Sequence, residues 1–172
     1  MKKTSSMSEW VKRGGLLLAA LSIALTGCQG VLLTYKGLKV LDDDLIALAD
    51  GNQRSASYQT HDLTIAYQWA RGGNELQLSG WVKFAPWIQN SFNVIHHFDL
   101  SLFFTDAEGN ILEQRGIAAL GSRNPESQKR FNEKLLLRPG TVNMAFSYDG
   151  QALDSDPEGS EVVSFWQVPV VR

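Results

Sequence analysis

The sequence predicts an all-β protein, a single antiparallel β-sandwich of about seven strands behind a cleaved N-terminal signal peptide. Three observations carry that expectation. Apolar residues recur with period two, as in Leu63, Ile65, Tyr67 and Trp69, and that spacing places alternate side chains on one face of a strand. Clusters of Gly, Asn, Asp and Pro separate these rows at short intervals. The chain opens with Lys2, Lys3, Lys12 and Arg13, an uncharged stretch from Leu16 to Leu25, and small residues up to Gly27, the arrangement of a secretory signal.

The apolar stretch Leu16 to Leu25 falls short of the roughly 20 residues that span a bilayer, which argues against a stop-transfer helix. No charge stands between Arg13 and Lys36, so an uncleaved anchor is the alternative reading. Leu25-Thr26-Gly27-Cys28 resembles the lipobox of bacterial lipoproteins. The resemblance implies that Leu25, Thr26 and Gly27 are recognised by the signal peptidase, that Cys28 receives the lipid, and that cleavage precedes it. Several buried acyl chains, at about 0.8 kcal/mol per methylene, would hold the protein on a membrane without a transmembrane helix. Gln29 stands where the inner-membrane retention signal of enteric bacteria has Asp, so the resemblance favours the bacterial outer membrane, with the domain in the periplasm or at the cell surface. The alternative for this lone cysteine is a buried free thiol packed as a small hydrophobe. An intramolecular disulfide is excluded because the chain has no second Cys.

Removal of residues 1–27 from the 172 leaves 145, a size suited to one domain with its own core. The removed segment holds Lys2, Lys3, Lys12, Arg13 and Glu9, so the net charge moves from −2 to −5. A mildly acidic chain without a basic cluster argues against nucleic acid and against electrostatic docking on anionic lipid.

Residues 28–60 read as the lipidated Cys and a tether containing one short element. Asp42-Asp43-Asp44 before Leu45 to Ala49 is the pattern of a capped helix ending before Gly51, while Asp50-Gly51-Asn52 equally suits a hairpin turn; the helix is the preferred reading. Residues 61–172 read as the sandwich. Leu63 to Trp69, the turn Arg71-Gly72-Gly73-Asn74 and Leu76 to Phe84 form a hairpin. Phe98, Leu100, Leu102 and Phe104 make the next row, turned by Asp106 to Asn110 into a strand from Ile111 to Leu120. Phe131 to Leu137, Val142 to Tyr148 after Pro139-Gly140, and Val162 to Val170 follow, with Pro169 marking an edge. These strands indicate a sandwich of immunoglobulin-like type rather than a barrel. Phe84 to Ile95 is too apolar for an ordinary connection, and either crosses between sheets or forms a binding loop.

Leu78-Ser79-Gly80-Trp81-Val82-Lys83 and Leu102-Phe103-Phe104-Thr105-Asp106-Ala107-Glu108-Gly109 resemble the bacterial FxLYD-type immunoglobulin-like domain, with its central hairpins of hydrophobic-x-G-x-V and aromatic strand, Asp, turn, Gly. Phe84 and Thr105 depart from that pattern, standing where a polar residue and a Tyr are usual. The resemblance implies a fold and no chemistry.

No nucleophile elbow, phosphate-binding Gly loop or zinc helix is present in the sequence, so no catalytic residue, cofactor or metal is expected. His96-His97 with Asp99 is the sharpest titratable group, but strand parity puts His96 on the core side with Val94 and Phe98, and His97 with Asp99 on the other, so the two imidazoles cannot chelate one ion. Asp154-Ser155-Asp156-Pro157-Glu158-Gly159 imitates half of a calcium loop, and Phe165 occupies the position of its closing Glu; a solvated acidic loop is the expectation. Parity turns Trp81 and Phe103 away from the core rows, and Trp87, Ile88 and Phe92 lie in the apolar connection. Together they are the candidate partner contacts, unless a neighbouring segment covers them. The expected function is a lipid-anchored envelope lipoprotein, non-enzymatic, that acts as a binding or assembly module for an envelope protein. The rival readings are a carrier of a small apolar ligand between the sheets and a hydrolase using His96 or His97.

Overall fold

The computed structural model describes residues 35–156 and 159–171, with only the backbone given for 155, 156, 159 and 160. The signal segment 1–27, Leu25, Thr26, Gly27, Cys28, Pro157 and Glu158 lie outside the described residues.

The strands are β1 (Ile46–Ala47), β2 (Arg54–Gln59), β3 (Leu63–Gly72), β4 (Glu75–Phe84), β5 (Val94–Thr105), β6 (Ile111–Arg123), β7 (Lys129–Leu136), β8 (Asn143–Asp156) and β9 (Gly159–Gln167). One short helix, α1 (Pro86–Ser91), lies between β4 and β5. Two antiparallel sheets result. The smaller has four strands in the order β2-β3-β4-β7. The larger has five: β6, β5 and β8 lie side by side, and the far edge of β8 is shared by β1 and β9.

The fold is the all-β sandwich that the alternation predicts, with nine strands among the described residues rather than about seven. Within the segment 28–60, read as the lipidated Cys and a tether with a short helix or hairpin, the described residues from 35 onward contribute β1 and β2 to the two sheets. The helix expected over Leu45 to Ala49 is not formed. Asp42–Asp44 make a single 3-10 turn, and Ile46 and Ala47 pair with Met144 and Asn143. Ladder bonds to β8 outweigh the weak drive of so short a helix, whose nucleation is unfavourable.

The core is formed by the inward rows. Leu63, Ile65, Tyr67, Trp69, Leu76, Leu78, Val82 and Phe84 of the smaller sheet meet Phe98, Leu100, Leu102, Phe104, Met144, Phe146, Tyr148 and Phe165 of the larger. Rings from opposite sheets touch directly, Tyr67 edge-on to Phe146 with centroids 4.9 Å apart and Phe84 to Phe98 at 5.2 Å. Such edge-to-face packing leaves the space between the sheets filled by side chains. Gly80 has no side chain because none fits: an added Cβ would lie 2.3 Å from the Ala66 carbonyl oxygen and 2.7 Å from the Phe131 ring.

The apolar connection crosses between sheets. Pro86 opens α1, where its missing N–H is not needed, and Ile88 and Phe92 turn into the core at 0% and 8% exposure. The Asp106–Asn110 turn joins β5 to β6, with Gly109 at φ +85° and the Asp106 carboxylate accepting the backbone N–H groups of Glu108 and Asn110.

The outer face of the larger sheet is half covered. Phe103 is fully buried there with Val40, Ile111 and Ala145, beneath Tyr35, Leu45, Val168 and Val170. Its expected outward orientation is observed, but its exposure is not, because the segments before β1 and after β9 lie over it. Tyr35 packs on its ring at 5.2 Å.

Candidate functional site

The outer face of the smaller sheet is the first of three exposed regions of the described residues. Alternation aims Ser55, Ser57, Ala66, Gln68, Ser79, Trp81, Arg130 and Asn132 outward, opposite to the buried rows of the same strands. Register sets them in two rows across the sheet, Ser57–Ala66–Trp81–Arg130 and Ser55–Gln68–Ser79–Asn132. Small residues beside the half-exposed Trp81 leave an open cleft of about 330 Å³ lined by Ser55, Ala56, Ala66, Gln68, Ser79 and Trp81. The Gln68 amide donates to the Ser79 hydroxyl at 3.0 Å, which sets the amide orientation. An aromatic wall beside neutral donors and acceptors suits a polar, uncharged ligand chain.

Strand β2 bounds this face. It pairs with β3 without any register shift from Arg54↔Trp69 to Gln59↔Thr64, and among the described residues its other edge has no partner strand. Its residues are exposed except Tyr58, and only Arg54 is charged. Sheet edges are ordinarily protected by charge or bulges. The opposite edge, β7, carries Lys129, Arg130, Glu133 and Lys134, and the β5–β6 ladder contains two irregularities.

At one end of the sandwich a polar network joins the sheets. The Tyr148 hydroxyl donates to Asp62 at 2.9 Å and lies 2.8 Å from the Thr60 hydroxyl, while Tyr58 donates to Asp44 at 2.8 Å and accepts from Gln167 at 2.7 Å. Burial raises the pKa of both phenols, and the carboxylates of Asp44 and Asp62 reinforce the shift. Trp87 lies against this end. Its indole N–H donates to the His61 carbonyl at 3.0 Å, its ring packs on the His61 ring at 5.3 Å, and its other side meets Phe92. Of the predicted contact residues, Trp81 and Trp87 are partly exposed, while Ile88, Phe92 and Phe103 are buried. The apolar patch expected on the β4–β5 connection does not exist, because α1 turns its Ile88 inward and Phe92 follows it.

The third region is the uncovered half of the larger sheet. His96 is exposed, contrary to the parity expectation, because it is the extra residue of a β-bulge: Ile95 pairs with Ala152 and His97 with Gln151. The bulge keeps both Ile95 and Phe98 in the core. His97 still shares a face with Asp99, and Asp149 stands directly opposite Asp99. His97 Nε2 lies 3.1 Å from the Asp149 carboxylate, and one ligand atom from each of His97, Asp99 and Asp149 falls within 4.8 Å of the others, a mixed donor set of the kind that can hold a divalent metal. The His96 and His97 rings lie edge to face with centroids 6.4 Å apart. Trp166, 62% exposed and paired with Asp149, was not singled out in the sequence. Its signal was parity, since it adjoins the inward Phe165. Asp154 contributes to the surface by accepting from Asn93 at 2.8 Å, and β8 and β9 pair as far as Asp156↔Gly159.

No protein-family model matches the chain, and no curated protein is significantly similar to it. Among the described residues no helix is long and apolar enough to cross a membrane.

Proposed function

We propose that the protein is a lipid-anchored module of the bacterial envelope that binds an extended segment of another envelope protein along β2 and the neighbouring Trp81 cleft. The observation that carries this reading is the β2 edge, a regular and nearly uncharged strand whose outward N–H and C=O groups face no other strand among the described residues. Main-chain pairing to such an edge supplies affinity, and pockets for alternate side chains supply specificity. The cleft of about 330 Å³ beside Trp81 is placed to take those side chains. The ring contacts that fill the space between the sheets favour a surface binder over a carrier of a ligand held there. Attachment through Cys28 rests on the Leu25-Thr26-Gly27-Cys28 pattern.

A photoreactive residue at Ser57 or Trp81, in cells that make the full chain, tests the reading. Cross-linking from both positions to one envelope protein is the expected result, with no product from the same probe at Lys134 on the far edge. Equal products from all positions, or none, defeat the proposal. Attachment is tested apart from it: Cys28→Ser should abolish fatty-acid labelling and leave the precursor uncleaved.

A further inference from the structure

We propose that His97, Asp99 and Asp149, on the outer face of the larger sheet, form a binding site for a divalent transition-metal ion of the zinc class. The inference is independent of the reading proposed for the β2 edge, because its residues belong to the other sheet.

The three donors stand on the two strands in the middle of that sheet. β5 lies between β6 and β8, and β8 between β5 and β9, so ladders on both sides fix each backbone. Asp99 pairs with Asp149, while His97, two residues before Asp99 and on its face, pairs with Gln151. His97 and Asp149 are therefore diagonal neighbours, a spacing that aromatic and long side chains bridge. Here they do: His97 Nε2 lies 3.1 Å from Asp149 Oδ2. Adjacent ligands of one ion with bonds of about 2.1 Å stand about 3.0–3.4 Å apart, so this contact already has the separation of two ligands. A carboxylate oxygen of Asp99 completes a set of three donor atoms that all lie within 4.8 Å of one another. Among the described residues the Asp99 carboxylate has no hydrogen-bond or ion-pair partner, so it can turn through the remaining distance.

Charge supplies a second, independent reason. Like charges directly opposite each other across a ladder destabilise a sheet. Asp99 and Asp149 are such a pair, and their flanking partners on the same rung, Ala119 and Trp166, are neutral. The His97 rung adds only Gly121, Gln151 and Ser164. No lysine or arginine on either rung offsets the two carboxylates, whereas a cation between them turns their repulsion into attraction. The imidazole nitrogen selects the class of ion. Calcium and magnesium take oxygen ligands, while zinc and its neighbours accept imidazole and carboxylate together. Three donors on one sheet face leave the outer positions of the ion to water.

The test uses the full chain, purified in detergent, stripped of metal with a chelator and titrated with zinc chloride by isothermal calorimetry. The unsubstituted chain should bind one zinc ion. His97→Gln, Asp99→Asn and Asp149→Asn should each weaken that binding more than about tenfold, while His96→Gln leaves it unchanged. X-ray absorption at the zinc edge of the loaded, unsubstituted chain reads the ligands without any substitution: one imidazole with oxygen neighbours at about 2.0–2.2 Å is expected, and no sulfur. Calcium or magnesium in large excess should leave the zinc bound, and displacement by either overturns the assignment to a transition metal. Absence of zinc binding, binding undiminished by any one of the three substitutions, or a coordination shell containing sulfur or a second imidazole overturns the site.

Discussion

Replacement of Trp87 by Ala measures whether this residue belongs to the fold or to a contact surface. Trp87 is half-buried against the main core, its indole N–H is bonded to the His61 carbonyl, and its ring lies between His61 and Phe92. Removal of a fully buried Trp costs about 3–5 kcal/mol, so half that burial accounts for roughly 1.5–2.5 kcal/mol. Loss of the hydrogen bond adds about 0.5 kcal/mol, at the low end of its range because water can replace the donor at the exposed His61. The expected total is about 2–3 kcal/mol, which for a domain of this size lowers Tm by roughly 6–10 °C. Urea unfolding of wild type and Trp87→Ala, at matched m values, reads the loss directly. Trp87→Phe keeps the ring contacts and should lose only about 1 kcal/mol. A loss below about 0.5 kcal/mol for Trp87→Ala, the range of an ordinary surface position, would refute the packing argument and return Trp87 to the list of contact candidates.

Gly80→Ala should destabilise by about 3 kcal/mol, the upper end of overpacking, because two of the three atoms its Cβ would strike are backbone atoms of β3 that cannot step aside. Gly72→Ala, with nothing within 4 Å, is the control that should leave the melting curve within about 0.5 kcal/mol of wild type. The phenols of Tyr58 and Tyr148, raised chiefly by burial, predict an alkaline limb. Above pH about 10 the unfolded chain releases tyrosine protons that the folded one retains, so stability falls as pH rises. Tyr58→Phe and Tyr148→Phe should each be less stable at neutral pH yet decline less steeply above pH about 10 in a thermal-melt series; an unchanged slope in both would remove the phenols as its cause.

Local pattern carried much of the architecture. The period-two rows from Leu63 onward named the inward faces of β3, β4 and β5, and the Gly-rich turns placed the hairpins, while the apolar Phe84–Ile95 connection left a crossing between sheets and a binding loop equally open until the structure showed the crossing. These features depend on neighbours within a few residues, which is the range over which alternation and turn chemistry act. The Leu25-Thr26-Gly27-Cys28 pattern is likewise purely local. Tertiary structure decided which outward faces are covered. Phe103 has the parity of an exposed residue and is buried because segments more than sixty residues away in sequence, around Val40 and Val170, pair over it. Register between strands is equally non-local: the bulge that exposes His96 exists only against Ala152 and Gln151 of β8, and nothing in the order Val94-Ile95-His96-His97 announces it. The same holds for β1 and β2, whose short, polar or irregular segments became strands through the partners β8 and β3 rather than through their own propensity, because a ladder supplies the hydrogen bonds that an isolated segment takes from water.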